Sequence, residues 1–218
     1  MSIAIKRNKG QIEEIFHRLQ EHNPDPRSDL EYTSTYTLLV AVVLSAQATD
    51  AGVNKATRRL FPIASTPEEM VALGMDGIKN HIKTIGLFNA KAQNVYALSQ
   101  KLIADHNSAV PGTHAELQAL PGVGRKTANV VLNIAFGQNT LAVDTHVFRL
   151  SHRLGLATGK TPDAVERELL ACVPDHYLYH AHHWLILHGR YVCKAQKPLC
   201  PTCILNDVCG FKEKRRPG

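Results

Sequence analysis

Residues 120–128 read Leu-Pro-Gly-Val-Gly-Arg-Lys-Thr-Ala, and this stretch constrains the fold more than any other. Pro121 forbids a helix through it, and Gly122 and Gly124 can take positive φ without a side-chain penalty. Directly afterwards Ala128, Val131, Leu132 and Ala135 recur at helical spacing. The chain must turn here and then start an apolar-faced helix. Such a turn exposes backbone N–H groups at a helix N-terminus, where the dipole adds positive character and a phosphate can sit. Lys126 lies one step inside that site, as a phosphate contact or as a nucleophile beside a phosphate backbone. An ordinary αα-turn without a ligand is the plainer reading of the same glycines.

The rest of the chain patterns as helices. Ile12, Ile15, Phe16 and Leu19 mark an amphipathic helix that Asn23-Pro-Asp-Pro26 ends. Thr35 to Gln47 predicts one apolar helix buried all round. Thr66-Pro-Glu-Glu69 predicts a capping box with proline at the first helical position, and Thr113 with Glu116 a second box. Ile85-Gly86-Leu87 breaks the chain before a long helix through His106. Thr161-Pro162 starts another helix, and Tyr177 to Val192 forms one more. No clean alternation predicts a strand, so the fold class is all-α, with roughly ten short helices.

A chain of 218 residues has room for one or two compact domains. Its net charge of +6 favours a polyanionic partner such as nucleic acid. The longest apolar run, Leu38 to Leu44, is too short to span a bilayer. The N-terminal Met1 to Arg7 lacks the apolar centre of a signal peptide. These features predict a cytoplasmic protein that makes no use of a membrane. The tail from Lys212 to Arg216 is basic.

The cysteines are clustered. Cys193, Cys200, Cys203 and Cys209 form a C-x6-C-x2-C-x5-C run, while Cys172 stands apart in an apolar helical stretch and reads as a small core residue. Four thiols crowded near one end of a cytosolic chain point to a metal centre. Zinc sites usually use two C-x2-C pairs. An iron–sulfur cluster held by four thiolates accepts the asymmetric spacing found here. Zinc and free thiols remain the alternatives. Five histidines, His176, His180, His182, His183 and His188, resemble a metal site, yet no His-Glu-x-x-His signature accompanies them. Hydrogen bonding, buried or toward a nucleic acid, explains them more simply.

Leu120 to Ala128 resembles a helix–hairpin–helix motif. With Val143-Asp144-Thr145-His146 and the four-cysteine run, nearly the whole chain resembles the endonuclease III family of the helix–hairpin–helix DNA glycosylase superfamily. Leu44 to Asp50, Gly86 to Ala92 and His183 to Arg190 match it too. The resemblance implies a two-lobed fold. Residues 28–138 would form a six-helix lobe, with the hairpin motif at about 114–133. Residues 1–27 and 139–218 would form an iron–sulfur lobe holding one [4Fe–4S] cluster per chain. It further implies a monomer bound to double-stranded DNA that carries a damaged pyrimidine or an abasic site, acting in the cytoplasm at a bacterial nucleoid.

The same resemblance implies roles for named residues. Lys126 is the nucleophile that attacks C1′, displaces the base and forms a Schiff base from which β-elimination follows. An ordinary lysine is almost wholly cationic at neutral pH, so this role demands that the ammonium be destabilised. Asp144 stabilises the oxocarbenium and moves protons; it also stands before Val147, Leu150 and Leu154, as an N-cap does. Capping and catalysis are compatible. Gly122 and Gly124 bring the backbone close to a phosphate, and Arg125 reads as a phosphate or solvent contact and not as a catalytic residue. Gln47 and Leu87 fill the gap left by an extruded nucleotide. Ending a helix (Gln47) and core packing (Leu87) are their plain alternatives. His146 lines the site. Apart from the resemblance, the charges of Arg190, Lys194 and Lys197 around the first cysteine loop read as phosphate contacts or as a solvated basic loop.

Two rival functions stay in view. An adenine-removing glycosylase of the same superfamily lacks the hairpin lysine as nucleophile and carries a further C-terminal domain. A non-catalytic DNA-binding or iron–sulfur redox module needs neither Lys126 nor Asp144.

Overall fold

A computed structural model of the chain describes residues 7–214. Met1–Lys6, part of the segment read for a signal peptide, and Arg215 and Arg216 of the basic tail lie outside the described residues. The described residues form ten α-helices and one 3-10 turn, with no strand. They divide into two compact units: Met1–Arg27 with Asn139–Gly218, and Ser28–Gln138.

The unit of residues 28–138 holds α2 (Thr35–Leu44), α3 (Asp50–Leu60), α4 (Pro67–Ile82), α5 (Phe88–His106), α6 (His114–Gln118) and α7 (Arg125–Phe136). Helix α2 is its centre: every residue from Tyr36 to Leu44 is buried, and it packs on α3, α5 and α7. The helix starts are set by side-chain caps. Ser34 and Thr37 form a reciprocal capping box, as do Thr66 and Glu69. The predicted box at Thr113 is only half present. Its hydroxyl accepts the Glu116 N–H at 3.3 Å, but Glu116 turns to the Thr113 hydroxyl and not to its backbone.

Two predicted boundaries shift. Helix α2 stops at Leu44 instead of reaching Gln47, because the chain leaves helical geometry and Gln47 enters the left-handed region at φ 51°. Helix α4 is interrupted at Gly74, where φ is 75°; glycine pays no Cβ penalty there.

The other unit packs α1 (Lys9–His22), α8 (Thr145–Leu154), α9 (Pro162–Cys172) and α10 (Asp175–Tyr191) around Ile15, Phe16, Val147, Leu150, Trp184 and Leu185. Helix α10 begins at Asp175, earlier than predicted, with Pro174 ahead of it. Trp184 donates its indole N–H to the Asn23 carbonyl at 2.8 Å, which ties the end of α1 to α10. Cys172 is half-buried against this core and bonds the Leu156 carbonyl at 3.7 Å. Among the described residues no helix is long and apolar enough to cross a membrane.

Candidate functional site

The glycine turn joins α6 to α7. Val123 N–H closes it on the Leu120 carbonyl at 3.1 Å. Gly122 has φ 77°, and a Cβ there would meet the Asn94 side chain at 2.8 Å. Glycine is therefore required twice over, by conformation and by space. Gly124 differs from the expectation of positive φ: it is extended at φ −88°, and a Cβ would meet nothing within 4 Å. It is the N-cap of α7, and no side chain caps that helix. What its missing side chain provides is unobstructed access to the first turn of α7, where N–H groups and the helix dipole favour an anion. Arg125 and Lys126 are the first two residues of this helix, and both are exposed. Any drying of the Lys126 amine therefore has to arrive with a ligand. His114 Nε2 and Asn129 Oδ1 lie 2.7 Å apart and brace α6 against α7.

In the same unit, two turns share an unusual backbone. Gln47 and Leu87 have φ 51° and 58°, the left-handed region that residues with a Cβ rarely adopt. Gly86 brings the turns together: a Cβ on it would lie 4.0 Å from the Gln47 carbonyl oxygen. Leu87 is 59% exposed, so it is not the core residue its type suggests. Gln47 is exposed beyond the helix end.

In the other unit, Asp144 caps α8. Its Oδ1 accepts the N–H of His146 at 2.9 Å and of Val147 at 2.8 Å. Oδ2 makes no hydrogen bond among the described residues. One carboxylate oxygen thus fixes the side chain and the other stays available for chemistry. His146 is half-buried, its backbone carbonyl pressed to within 2.9 Å of where a Cβ on Gly189 would lie. Arg149 lies 3.3 Å from His146 Nδ1. A guanidinium only donates, so Nδ1 accepts and the imidazole proton sits on Nε2.

Arg149 also donates to the carbonyls of Gly189 at 2.6 Å and Cys193 at 3.1 Å. One turn later, Arg153 donates to Cys193 Sγ at 3.3 Å, to the Lys194 carbonyl at 2.7 Å and to the Ala195 carbonyl at 3.1 Å. It also stacks on Phe211, 4.4 Å from the ring centre. Sequence reasoning missed both arginines. Their spacing of four on the helix after Asp144 was the available signal, but their partners lie some forty residues downstream.

Cys193, Cys200, Cys203 and Cys209 line one cavity, closed by apolar groups that include Leu150, Leu154 and Phe211. Hydrogen-bond donors reach two of the four sulfurs, those of Cys193 and Cys203. Cys203 Sγ accepts the Leu205 N–H at 3.4 Å and lies 3.3 Å from His188 Nε2. Burial pushes the Cys203 thiol up to about 11 and the Cys209 thiol upward too, so both are protonated when no metal is bound. Burial pushes His188 down to about 4, which leaves it neutral. Among the described residues no three or more His, Cys, Asp or Glu side chains converge as a single-ion site would require.

Arg190 is half-buried, while Lys194 and Lys197 are exposed on the first cysteine loop, with Lys197 at φ 49°. The clustered histidines are spent separately. His176 pairs with Glu13 at 3.2 Å, and His182 Nδ1 bonds the Ala142 carbonyl at 2.9 Å. His183 is buried with Nδ1 unpartnered.

Residues 40–175 match the model of the HhH-GPD superfamily base excision DNA repair proteins. Over 207 residues the chain is 56% identical to endonuclease III of Haemophilus influenzae and 55% identical to that of Escherichia coli K12, alignments that span 95% of this chain and 98% of each relative. Among solved structures, an endonuclease III trapped as a covalent intermediate with DNA superposes with a TM-score of 0.88 at 44% identity, over 93% of this chain and 96% of that one. A thermostable thymine-DNA glycosylase shares the fold at a TM-score of 0.82 and 23% identity, over 93% of this chain and 96% of its own.

Proposed function

The chain belongs to the HhH-GPD superfamily of base excision DNA repair proteins, in the endonuclease III family, and from that premise we propose that Lys126 and Asp144 are its catalytic pair. The protein is a bifunctional DNA glycosylase and abasic-site lyase that removes oxidised pyrimidines from duplex DNA. The observation that carries the residue assignment is the position of Lys126: exposed, second in an uncapped helix, directly after a turn whose Gly122 any side chain would strain.

The chemistry follows from these groups. The duplex backbone is held at the Gly122–Gly124 turn by N–H groups of α7 and by Arg125. The damaged nucleotide swings out, because its C1′ is unreachable inside the stack. Gln47 and Leu87 enter the gap; a left-handed turn presents each side chain outward, and an apolar one loses little water on insertion. The neutral Lys126 amine attacks C1′. The glycosidic bond breaks, and its electron pair leaves with the base, which takes up a proton. The carboxylate of Asp144 opposes the positive charge that develops on the sugar. The sugar ring then opens to an iminium between Lys126 and C1′. Loss of the C2′ proton pushes electrons through to C3′, the C3′–O bond breaks, and the 3′ phosphate departs. Water finally hydrolyses the iminium and frees Lys126. His146 orients beside Asp144, and Arg190, Lys194 and Lys197 add phosphate contacts.

The four cysteines fit a [4Fe–4S] cluster, one per chain. Four soft donors line one apolar cavity, with N–H groups aimed at the sulfurs of Cys193 and Cys203, as suits thiolate ligands. Bound there, a cluster supplies a cross-link of residues 193–209 and offers no open iron to a substrate. A repair enzyme of this kind acts in the cytoplasm, at the nucleoid.

The test is single-turnover cleavage of a duplex with one thymine glycol. Wild type releases the base and nicks the strand. Lys126→Ala binds the duplex and does neither. Asp144→Asn keeps the cap, since asparagine caps as well as aspartate, but loses most of the excision rate. Wild-type excision by Lys126→Ala overturns the assignment.

A further inference from the structure

Lys91 is left unexplained by this reaction. It lies in α5, only 4% exposed, and its Nζ has no hydrogen-bond partner. Burial lowers its affinity for a proton. An amine in that state destabilises the fold, because it gives up water and receives nothing in return. Methionine would fill a similar volume without that cost. A residue that breaks a local rule with no structural gain points to function.

Its location says which function. The Lys91 N–H donates to the Leu87 carbonyl at 3.0 Å, at the start of α5. Helical side chains lean toward the helix N-terminus, so the amine is carried toward the Gly86–Leu87 turn. On the other side of that turn lies the Gln47 carbonyl, 4.0 Å from where a Gly86 Cβ would be. This carbonyl accepts no hydrogen bond among the described residues. A donor without an acceptor and an acceptor without a donor thus flank one pair of left-handed turns. Left-handed non-glycine residues persist only when their surroundings hold them.

We propose that Lys91 is a positioning residue: when a duplex is engaged, its Nζ donates to the Gln47 carbonyl oxygen and holds Gln47 and Leu87 in the gap left by the extruded nucleotide. The inference rests on the gap-filling reading of those two residues. Lys91 touches neither sugar nor base.

Three measurements on Lys91→Met and Lys91→Gln test it: melting temperature, single-turnover excision from a lesion duplex, and single-turnover cleavage of a preformed abasic site. Lys91→Met should melt no lower than wild type, lose about tenfold or more in excision, and lose less in cleavage of the preformed site. Lys91→Gln, which keeps a donor, should recover part of the excision rate. Wild-type excision by Lys91→Met, or an equal loss on the two substrates, overturns the proposal. So does a large fall in melting temperature in both variants, which would mean the amine is structural. Failure of the underlying reading shows separately, as Leu87→Ala excising at the wild-type rate.

Discussion

Gln47 and Leu87 both take left-handed φ, and a Cβ on Gly86, next to Leu87, would stand 4.0 Å from the Gln47 carbonyl oxygen. A leucine 59% exposed in such a turn contributes little to folding. Leu87→Ala is expected to change stability by less than about 1 kcal/mol. It should slow excision from a lesion duplex more than it slows cleavage of a preformed abasic site, where extrusion is easier. Paired melting curves and single-turnover rates on the two substrates check this.

The two hairpin glycines should respond differently. Gly122→Ala forces a Cβ to 2.8 Å from Asn94 at φ 77°, and should cost on the order of 2–3 kcal/mol. Gly124→Ala meets open space at an extended φ. It should fold with a loss of about 1 kcal/mol or less as a poorer cap, yet bind DNA more weakly by crowding the first turn of α7. Urea titration and duplex binding at fixed salt separate the two effects.

Arg149 and Arg153 tie the helix of Asp144 to the Cys193 loop through carbonyl and sulfur acceptors. Replacing either by methionine leaves those acceptors unpaired, a loss of about 1.5–3 kcal/mol. The expected outcome is a lower melting temperature and, if the four cysteines hold the proposed cluster, faster loss of its visible absorbance. Lysine should not rescue Arg149, because it cannot span several acceptors in a plane.

Much of this was legible from residue types alone. Thr66-Pro67 and Thr161-Pro162 mark helix starts where the structure has them, because caps and proline act locally. The end of α2 was not legible. Ser45-Ala46-Gln47 contains neither glycine nor proline, so the left-handed turn is imposed by its neighbours. The same holds for Gly124, whose glycine serves access and not backbone geometry, and for Lys91, a surface residue by type that tertiary packing buries. The arginine contacts to residues 193–195 depend on chain closure that no local pattern encodes.

Acid should expose one buried imidazole. Burial pushes His183 from 6.5 down to about 4. Above pH 6.5 it is neutral whether folded or unfolded, and stability does not depend on it. As pH falls toward 4, the unfolded chain binds the proton and the folded one resists, so stability is lost. The loss is on the order of 3 kcal/mol. His183→Leu should flatten the melting temperature between these limits, and an unchanged slope would contradict the burial argument.

The central claim is that the Lys126 amine bonds covalently to C1′ of the damaged nucleotide. Borohydride reduction during turnover of a thymine glycol duplex, followed by mass mapping of the cross-linked peptide, tests it most directly. The account predicts one reduced adduct, on Lys126, absent from Lys126→Ala. An adduct on any other amine, or one undiminished in Lys126→Ala, would contradict it.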